Sequence, residues 1–330
     1  MTGKPIGVRL FRIFLIALAG LLGTAIVLTG ILVLVDVGQR RRILHEQSAL
    51  SGGGSYLEVN GTLVHFRRAG LVPDPLALVA PKPPLVLIHG LMGSSMDFEY
   101  VQPALASDRT VIAVDLIGFG LSDKSTALDY SKRSMAETIA GLMNQLGFSN
   151  YDVLGHSMGG EVALHLALNH PEQVDRLILL DSAGLTADGA PGANSQGRQT
   201  RLPPWLIEVV FKNTLLEKAV FKTCLYNPDP FMPLAFEKLY YFVQQIPAET
   251  LAKFIADSDS GSVAGRLSEI RQKTRIIWGE QDRIISLSQG HALAAAIPGS
   301  QLQAIGQCGH LPYLEKPEEL VRLVQDFLAD

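Results

Sequence analysis

Ser157, His310 and Asp282 are the residues of this 330-residue chain whose types and spacing can do chemistry together. A serine hydroxyl is a poor nucleophile until a base takes its proton. An imidazole serves as that base when a carboxylate fixes its tautomer and stabilises the cation it becomes. Ser157 stands in Gly155-His156-Ser157-Met158-Gly159-Gly160, after Tyr151-Asp152-Val153-Leu154 and before a helix-prone run from Glu161 to Leu168. That order predicts a strand turning sharply into a helix with the serine at the apex. Gly155 and Gly159 supply the small flanks such a turn needs, and helix amides then point at whatever the serine attacks. Gly-x-Ser-x-Gly alone also fits a glycine-rich turn without chemistry, so its partners decide.

Of eight histidines, only His291 and His310 follow an acid placed beyond the next-to-last predicted strand. His291 falls inside a helical pattern and reads as a surface residue. His310 ends the glycine-flanked loop Gly306-Gln307-Cys308-Gly309-His310 after the last strand, at the carboxyl edge where ligands bind in open α/β sheets. Asp282, in Trp278-Gly279-Glu280-Gln281-Asp282, lies just past the preceding strand on the same edge and is the favoured acid. Asp181, at the end of the strand after Ser157, is the alternative. Glu280 and Asp115 read as turn and strand-end caps. His156 and His89 read as structural, with His89 anchoring the loop after its strand. An oxyanion needs backbone donors already in place, each worth about 3 kcal/mol. The amides of Met158 and Leu91 are the two expected by position.

The elements that must position these residues alternate along the chain. Strands are predicted at Tyr56–Val59 and Thr62–Arg68, joined by the hairpin signal Asn60-Gly61, then at Leu85–Ile88, Thr110–Val114, the run before Ser157, and Arg176–Leu180. A helix is predicted over Met135–Leu146, and the resulting alternation points to a mostly parallel, doubly wound sheet. From residue 184 to 272 no convincing strand appears, and ten of the chain's 23 aromatics fall there. This stretch reads as a helical cap whose aromatics in part form its own core and in part line an apolar groove over the site. Arg275–Trp278, Gln301–Ile305 and a last helix from Pro317 close the fold, so the core is 56–183 with 273–330.

Residues 1–12 are basic, and Ile13 to Val35 runs 23 residues without a charge, long enough for a helix to cross a bilayer. The run ends in Val37-Gly38-Gln39-Arg40-Arg41-Arg42 rather than at a small-residue cleavage site, which predicts an uncleaved membrane anchor. Lys4, Arg9 and Arg12 balance Arg40, Arg41 and Arg42, so charge does not orient it. Ala19 with Gly23 and Gly20 with Thr24 set small residues one turn apart, an expectation of homodimerisation through the helix. Residues 36–55 form a juxtamembrane segment ending in the linker Ser51-Gly52-Gly53-Gly54-Ser55. The +4 carried by the first fifty residues leaves −8 for the rest of a chain of net charge −4. No basic stripe with interleaved aromatics supports nucleic-acid binding. Cys224 and Cys308 lack paired spacing, which suggests neither a disulfide framework nor a zinc site. No phosphate loop or metal cluster implies a cofactor.

On His89-Gly90, Gly155 to Gly160, Trp278 to Asp282 and Cys308-Gly309-His310, in that order, residues 56–330 resemble the α/β-hydrolase superfamily. With an anchor before the domain, the chain is most similar to membrane-anchored monoacylglycerol lipases and bacterial membrane-bound esterases and phospholipases A. The resemblance implies Ser157, Asp282 and His310 as a triad without a cofactor, acting on acyl glycerides or lysophospholipids at a bilayer. Meta-cleavage C–C hydrolases share the motifs and give the alternative reading. The intact trio sets aside a third, a non-catalytic binding protein.

Overall fold

The computed structural model describes residues 53–70, 82–185, 202–232, 234–257 and 262–329. The proposed anchor at 13–35, its flanking segments up to residue 52 and most of the proline-rich loop lie outside them. Among the described residues no helix is long and apolar enough to cross a membrane.

Asn60 and Gly61 sit at φ 52° and 81°, the left-handed conformation a two-residue hairpin requires, and turn β1 (Ser55–Val59) back onto β2 (Thr62–Ala69). Six strands follow: β3 (Leu85–Ile88), β4 (Val111–Val114), β5 (Tyr151–His156), β6 (Val174–Leu180), β7 (Lys273–Gly279) and β8 (Gln301–Ile305). The sheet order is β1-β2-β4-β3-β5-β6-β7-β8, antiparallel at β1/β2 and β2/β4 and parallel elsewhere. Every residue of β3, β4 and β5 is buried, which explains why β3 and β4 carry only apolar side chains.

Helices fill the crossovers as the alternation predicts: α1 (Gln102–Leu105), α2 (Lys132–Gln145) and α3 (Met158–Asn169). Ser131 caps α2 by accepting the Ser134 amide. Between β6 and β7 the described chain is helical, with α4 (Pro204–Phe211), α5 (Thr214–Cys224), α6 (Leu234–Gln244) and α7 (Ala248–Asp257). After β7 come α8 (Leu287–Ala296), the short α9 (Pro312–Glu315) and α10 (Pro317–Ala329). Helix α10 buries Leu320, Leu323, Val324, Phe327 and Leu328, one stripe at helical spacing.

The cap aromatics divide between the two roles expected of them. Phe236, Tyr240, Tyr241, Phe242 and Phe254 are buried. Phe236 stacks on Tyr240 at 5.4 Å, and Phe254 meets Phe119 of the core edge-on at 5.2 Å. The Tyr240 hydroxyl donates to the Lys212 carbonyl at 2.6 Å. Most of these rings therefore hold the cap together and seat it on the core, because a thin helical layer must bury its own faces before it can offer a groove. Trp205, Val209, Leu216 and Val220 instead lie exposed on α4 and α5.

Candidate active site

Ser157 sits at φ 52° and ψ −121° between β5 and α3, a conformation that costs a non-glycine residue about 1–3 kcal/mol. Neighbouring backbone holds it there. Its amide donates to the Leu180 carbonyl at 3.0 Å, and its carbonyl accepts from the Gly160 and Ala183 amides at 2.9 Å each. A Cβ on Gly155 would fall 2.3 Å from the Gly159 oxygen. One on Gly159 would fall 2.4 Å from the carbonyl oxygens of both Ile88 and His89. Gly160 is as tightly bound, its Cβ position being 2.0 Å from Ser182 Oγ, so three glycines rather than two admit the turn.

Parallel strands bring the remaining groups to this apex. His310 Nε2 lies 3.0 Å from Ser157 Oγ, and its Nδ1 lies 2.7 Å from Asp282 Oδ2. The other oxygen of Asp282 accepts the amides of Ile284 at 2.7 Å and Ile285 at 3.0 Å, which fixes the carboxylate plane. His310 and Asp282 are buried, so the run works away from bulk water. The structure thus joins Ser157, His310 and Asp282, while His291 stays in α8 as read.

Asp181 approaches the group without joining it in the same way. Its Oδ1 accepts the Gly279 amide at 2.8 Å, and its backbone is strained at φ 43°. Burial, and then the neighbouring Asp282, raise its pKa well above the usual carboxylate range. Asp181, Asp282 and His310 bring ligating atoms within 4.8 Å of one another, a grouping that resembles a metal site. Both nitrogens of His310 are nevertheless engaged by Ser157 and Asp282.

The structural readings of the other groups hold. His89 Nε2 accepts the Leu116 amide at 3.0 Å and Nδ1 donates to the Gly90 carbonyl at 2.7 Å, with burial lowering its pKa. His156 Nε2 donates to the His310 carbonyl at 2.7 Å. Burial, and then His310, keep the His156 pKa well below the ordinary value. Asp115 does more than cap its strand: it accepts the amides of Ser95 and Leu121 and bonds His65 Nδ1 at 2.8 Å, tying its own loop to the Ser95 turn and to β2. Gly90 and Leu91 pass beside the nucleophile, a Cβ on Gly90 falling 3.1 Å from that of Ser157. Met158 is the first residue of α3, where amides lack intrahelical acceptors.

Glu315 is one residue that motif reasoning passed over. Its carboxylate accepts Gly309 N at 2.6 Å, Tyr226 N at 2.8 Å and Asn227 N at 3.2 Å. The His310 amide also donates to the Cys224 carbonyl at 2.6 Å. The histidine loop is thereby fastened to the end of cap helix α5, by contacts between segments 80 or more residues apart that local pattern does not reveal.

A cavity of about 280 Å³ opens over Ser157 and His310. Leu91, Met92, Leu311 and Tyr313 wall it from the core, and Phe211, Val220, Phe221, Leu239 and Val243 wall it from the cap. The groove expected of the cap is present, built more from aliphatic than aromatic side chains. Asp97 and Glu217 also reach it. In sequence both look like ordinary first-turn acids of helical segments.

The family described as the alpha/beta hydrolase fold matches residues 83–317. A 2-hydroxymuconate semialdehyde hydrolase from Pseudomonas putida is 33% identical over 257 residues, covering 75% of this chain and 87% of that protein. An uncharacterized hydrolase of Bacillus subtilis (strain 168) is 30% identical over 253 residues, covering 74% and 89%. Among solved structures, a membrane phospholipase A described as a bacterial virulence factor aligns with a TM-score of 0.68 at 23% identity, over 96% of this chain and 98% of that one.

Two sets of substitutions test this geometry. Gly159→Ala is expected to cost about 3 kcal/mol and to lower Tm by roughly 10 °C, whereas Gly265→Ala, with open space around its Cβ, leaves it nearly unchanged. Thermal melts of both variants decide whether crowding at the turn is real. Asp282→Asn is expected to reduce turnover about ten-thousand-fold, because it favours the wrong imidazole tautomer. Asp181→Asn keeps the bond to Gly279 and should lose less than about tenfold; the opposite ranking in matched kinetics assigns the acid to β6.

Proposed function

The chain belongs to the α/β-hydrolase family, and on that premise we propose that it is a cofactor-free serine hydrolase of acyl esters, lipid esters foremost, held at a membrane by residues 13–35. One observation carries the reading: the hydrogen-bonded run from Ser157 through His310 to Asp282 has its serine end in an apolar cavity.

In this mechanism Ser157 Oγ attacks the ester carbonyl carbon as its proton passes to His310 Nε2, and Asp282 stabilises the imidazolium through Nδ1–H. The carbonyl oxygen, now negative, receives the amides of Leu91 and Met158. Collapse of the tetrahedral adduct breaks the bond to the alcohol, which leaves with the proton from His310. Water, deprotonated by the same nitrogen, then attacks the acyl-serine and releases the acid. The neutral His156 beside His310 adds no competing positive charge.

A bilayer as partner is supported by the exposed apolar side chains on α4 and α5, of which Val220 also reaches the cavity, and by the charge-free run at 13–35. A second reading, hydrolysis of a C–C bond, is favoured by the name of the Pseudomonas putida relative and uses the same three residues.

Each methylene added to a p-nitrophenyl acyl ester should raise kcat/KM up to about fourfold, corresponding to about 0.8 kcal/mol per buried CH₂, until the cavity is filled. A flat profile from two to twelve carbons removes the acyl-groove reading. Truncation to begin at Ser51 should preserve the rate on a soluble short-chain ester and reduce it strongly on lipid in vesicles. Equal vesicle rates for the two forms limit the apolar run to location.

A further inference from the structure

Two carboxyl groups line the cavity over Ser157, and the hydrolytic chemistry uses neither. Asp97 reaches it from the core, in the turn Ser95–Phe98 after the Gly90–Gly93 loop, and Glu217 reaches it from the cap, in the first turn of α5. They stand on opposite walls of a largely apolar surface whose described lining includes no Lys or Arg. Asp97 does receive the Ser94 amide, as an acid closing a helical turn would. Glu217 makes no such bond among the described residues, and the Leu215 and Leu216 amides of its turn go instead to Asn213 Oδ1 at 3.1 Å each. Its carboxyl has no partner among the described residues, and burial alone pushes it up to about 7.

Burial pushes Asp97 up to about 8, opposed by the Ser94 amide and reinforced by Asp115 and Glu99. The Tyr313 phenol, raised by burial and then by Asp97, faces it from α9. The Cys224 thiol, pushed up to about 12 chiefly by burial, shares α5 with Glu217. Neither neighbour loses its proton near neutral pH.

We propose that Asp97 and Glu217 select substrate by charge: the cavity takes uncharged esters whose hydroxyl groups meet these acids, such as glycerol-type esters, and turns away substrates that carry a carboxylate. A carboxylic acid both donates and accepts, and a carboxylate accepts, so a substrate hydroxyl is bonded in either state. A substrate that displaces water without supplying such a group leaves a buried acid unsatisfied. An anionic substrate enters only if the acids hold their protons, so its disadvantage grows about tenfold per pH unit for each acid above that acid's pKa. The selection rests on Ser157 acting as the nucleophile. It also separates the two readings of function, since a muconate semialdehyde bears a carboxylate and a neutral acyl ester does not.

The test pairs substrates of equal chain length, one of each pair ending in a carboxylate. On the acyl side these are p-nitrophenyl hexanoate and mono-p-nitrophenyl adipate; on the alcohol side, monobutyryl glycerol and monobutyryl glycerate. In the full-length protein the neutral-to-anionic ratio of kcat/KM should widen from pH 6.5 to 8.5, approaching about tenfold per pH unit in at least one pair. In the Asp97→Asn, Glu217→Gln double variant the ratio should shrink and lose its pH dependence. Ratios that neither pH nor the double variant moves, in both pairs, overturn the charge selection while leaving ester hydrolysis intact. If no ester is cleaved, the ester reading fails. Labelling rates of Ser157 by hexyl and carboxypentyl fluorophosphonates then read the same ratio under the same criteria, and labelling by neither overturns the selection as well.

Discussion

The strained backbone at Ser157 is the constraint on which the rest of the structure depends. A serine at φ 52° persists only because its amide and carbonyl are bonded to β6 and the chain beyond it and because Gly155, Gly159 and Gly160 leave no side chain in the way. That geometry lifts Oγ clear of the sheet edge and starts α3 directly behind it. The position of Ser157 is therefore set by the two central strands β3 and β5, buried along their whole length, and by their neighbour β6.

His310 and Asp282 are held by a different device. Both sit on loops, which are ordinarily the least constrained parts of a chain, yet each is held by several hydrogen bonds. Asp282 is aimed by two amides, His310 by Asp282 and the Cys224 carbonyl, and the preceding Gly309 by Glu315. Because Cys224, Tyr226 and Asn227 end α5 or follow it, the cap that shapes the cavity also holds the histidine loop. A change in the cap that shifts α5 would move the base as well as the groove.

Electrostatics divide the buried acids by what faces them. Asp115 stays below the usual range although burial raises it, because His65, His89 and backbone amides outweigh that cost. Asp181 rises by burial and then by the neighbouring carboxyl of Asp282, which its one amide does not offset. Asp97 rises chiefly by burial and Glu217 by burial alone, with no Lys or Arg in the described lining to offset it. The same residue type thus serves as loop anchor, neutral neighbour or cavity wall according to its partners.

The sequence by itself determined the fold class and the strand alternation and singled out Ser157, His310 and, ahead of Asp181, Asp282, because these follow from local rules. All-apolar strands mark the central sheet, glycines mark the elbow, and a fixed chain order brings loops at strand carboxyl ends to one edge. The helical character of the cap was legible for the same reason. What only the tertiary structure decided were contacts between distant segments. Phe236 and Tyr240 pack inside the cap while Phe211 and Phe221 face the cavity, and helical spacing alone does not distinguish those outcomes. Glu315, Asp97 and Glu217 each resemble a solvated helix-end acid in sequence. Their burial against the histidine loop and the cavity depends on how the cap closes over the sheet, and no residue near them in the chain records that.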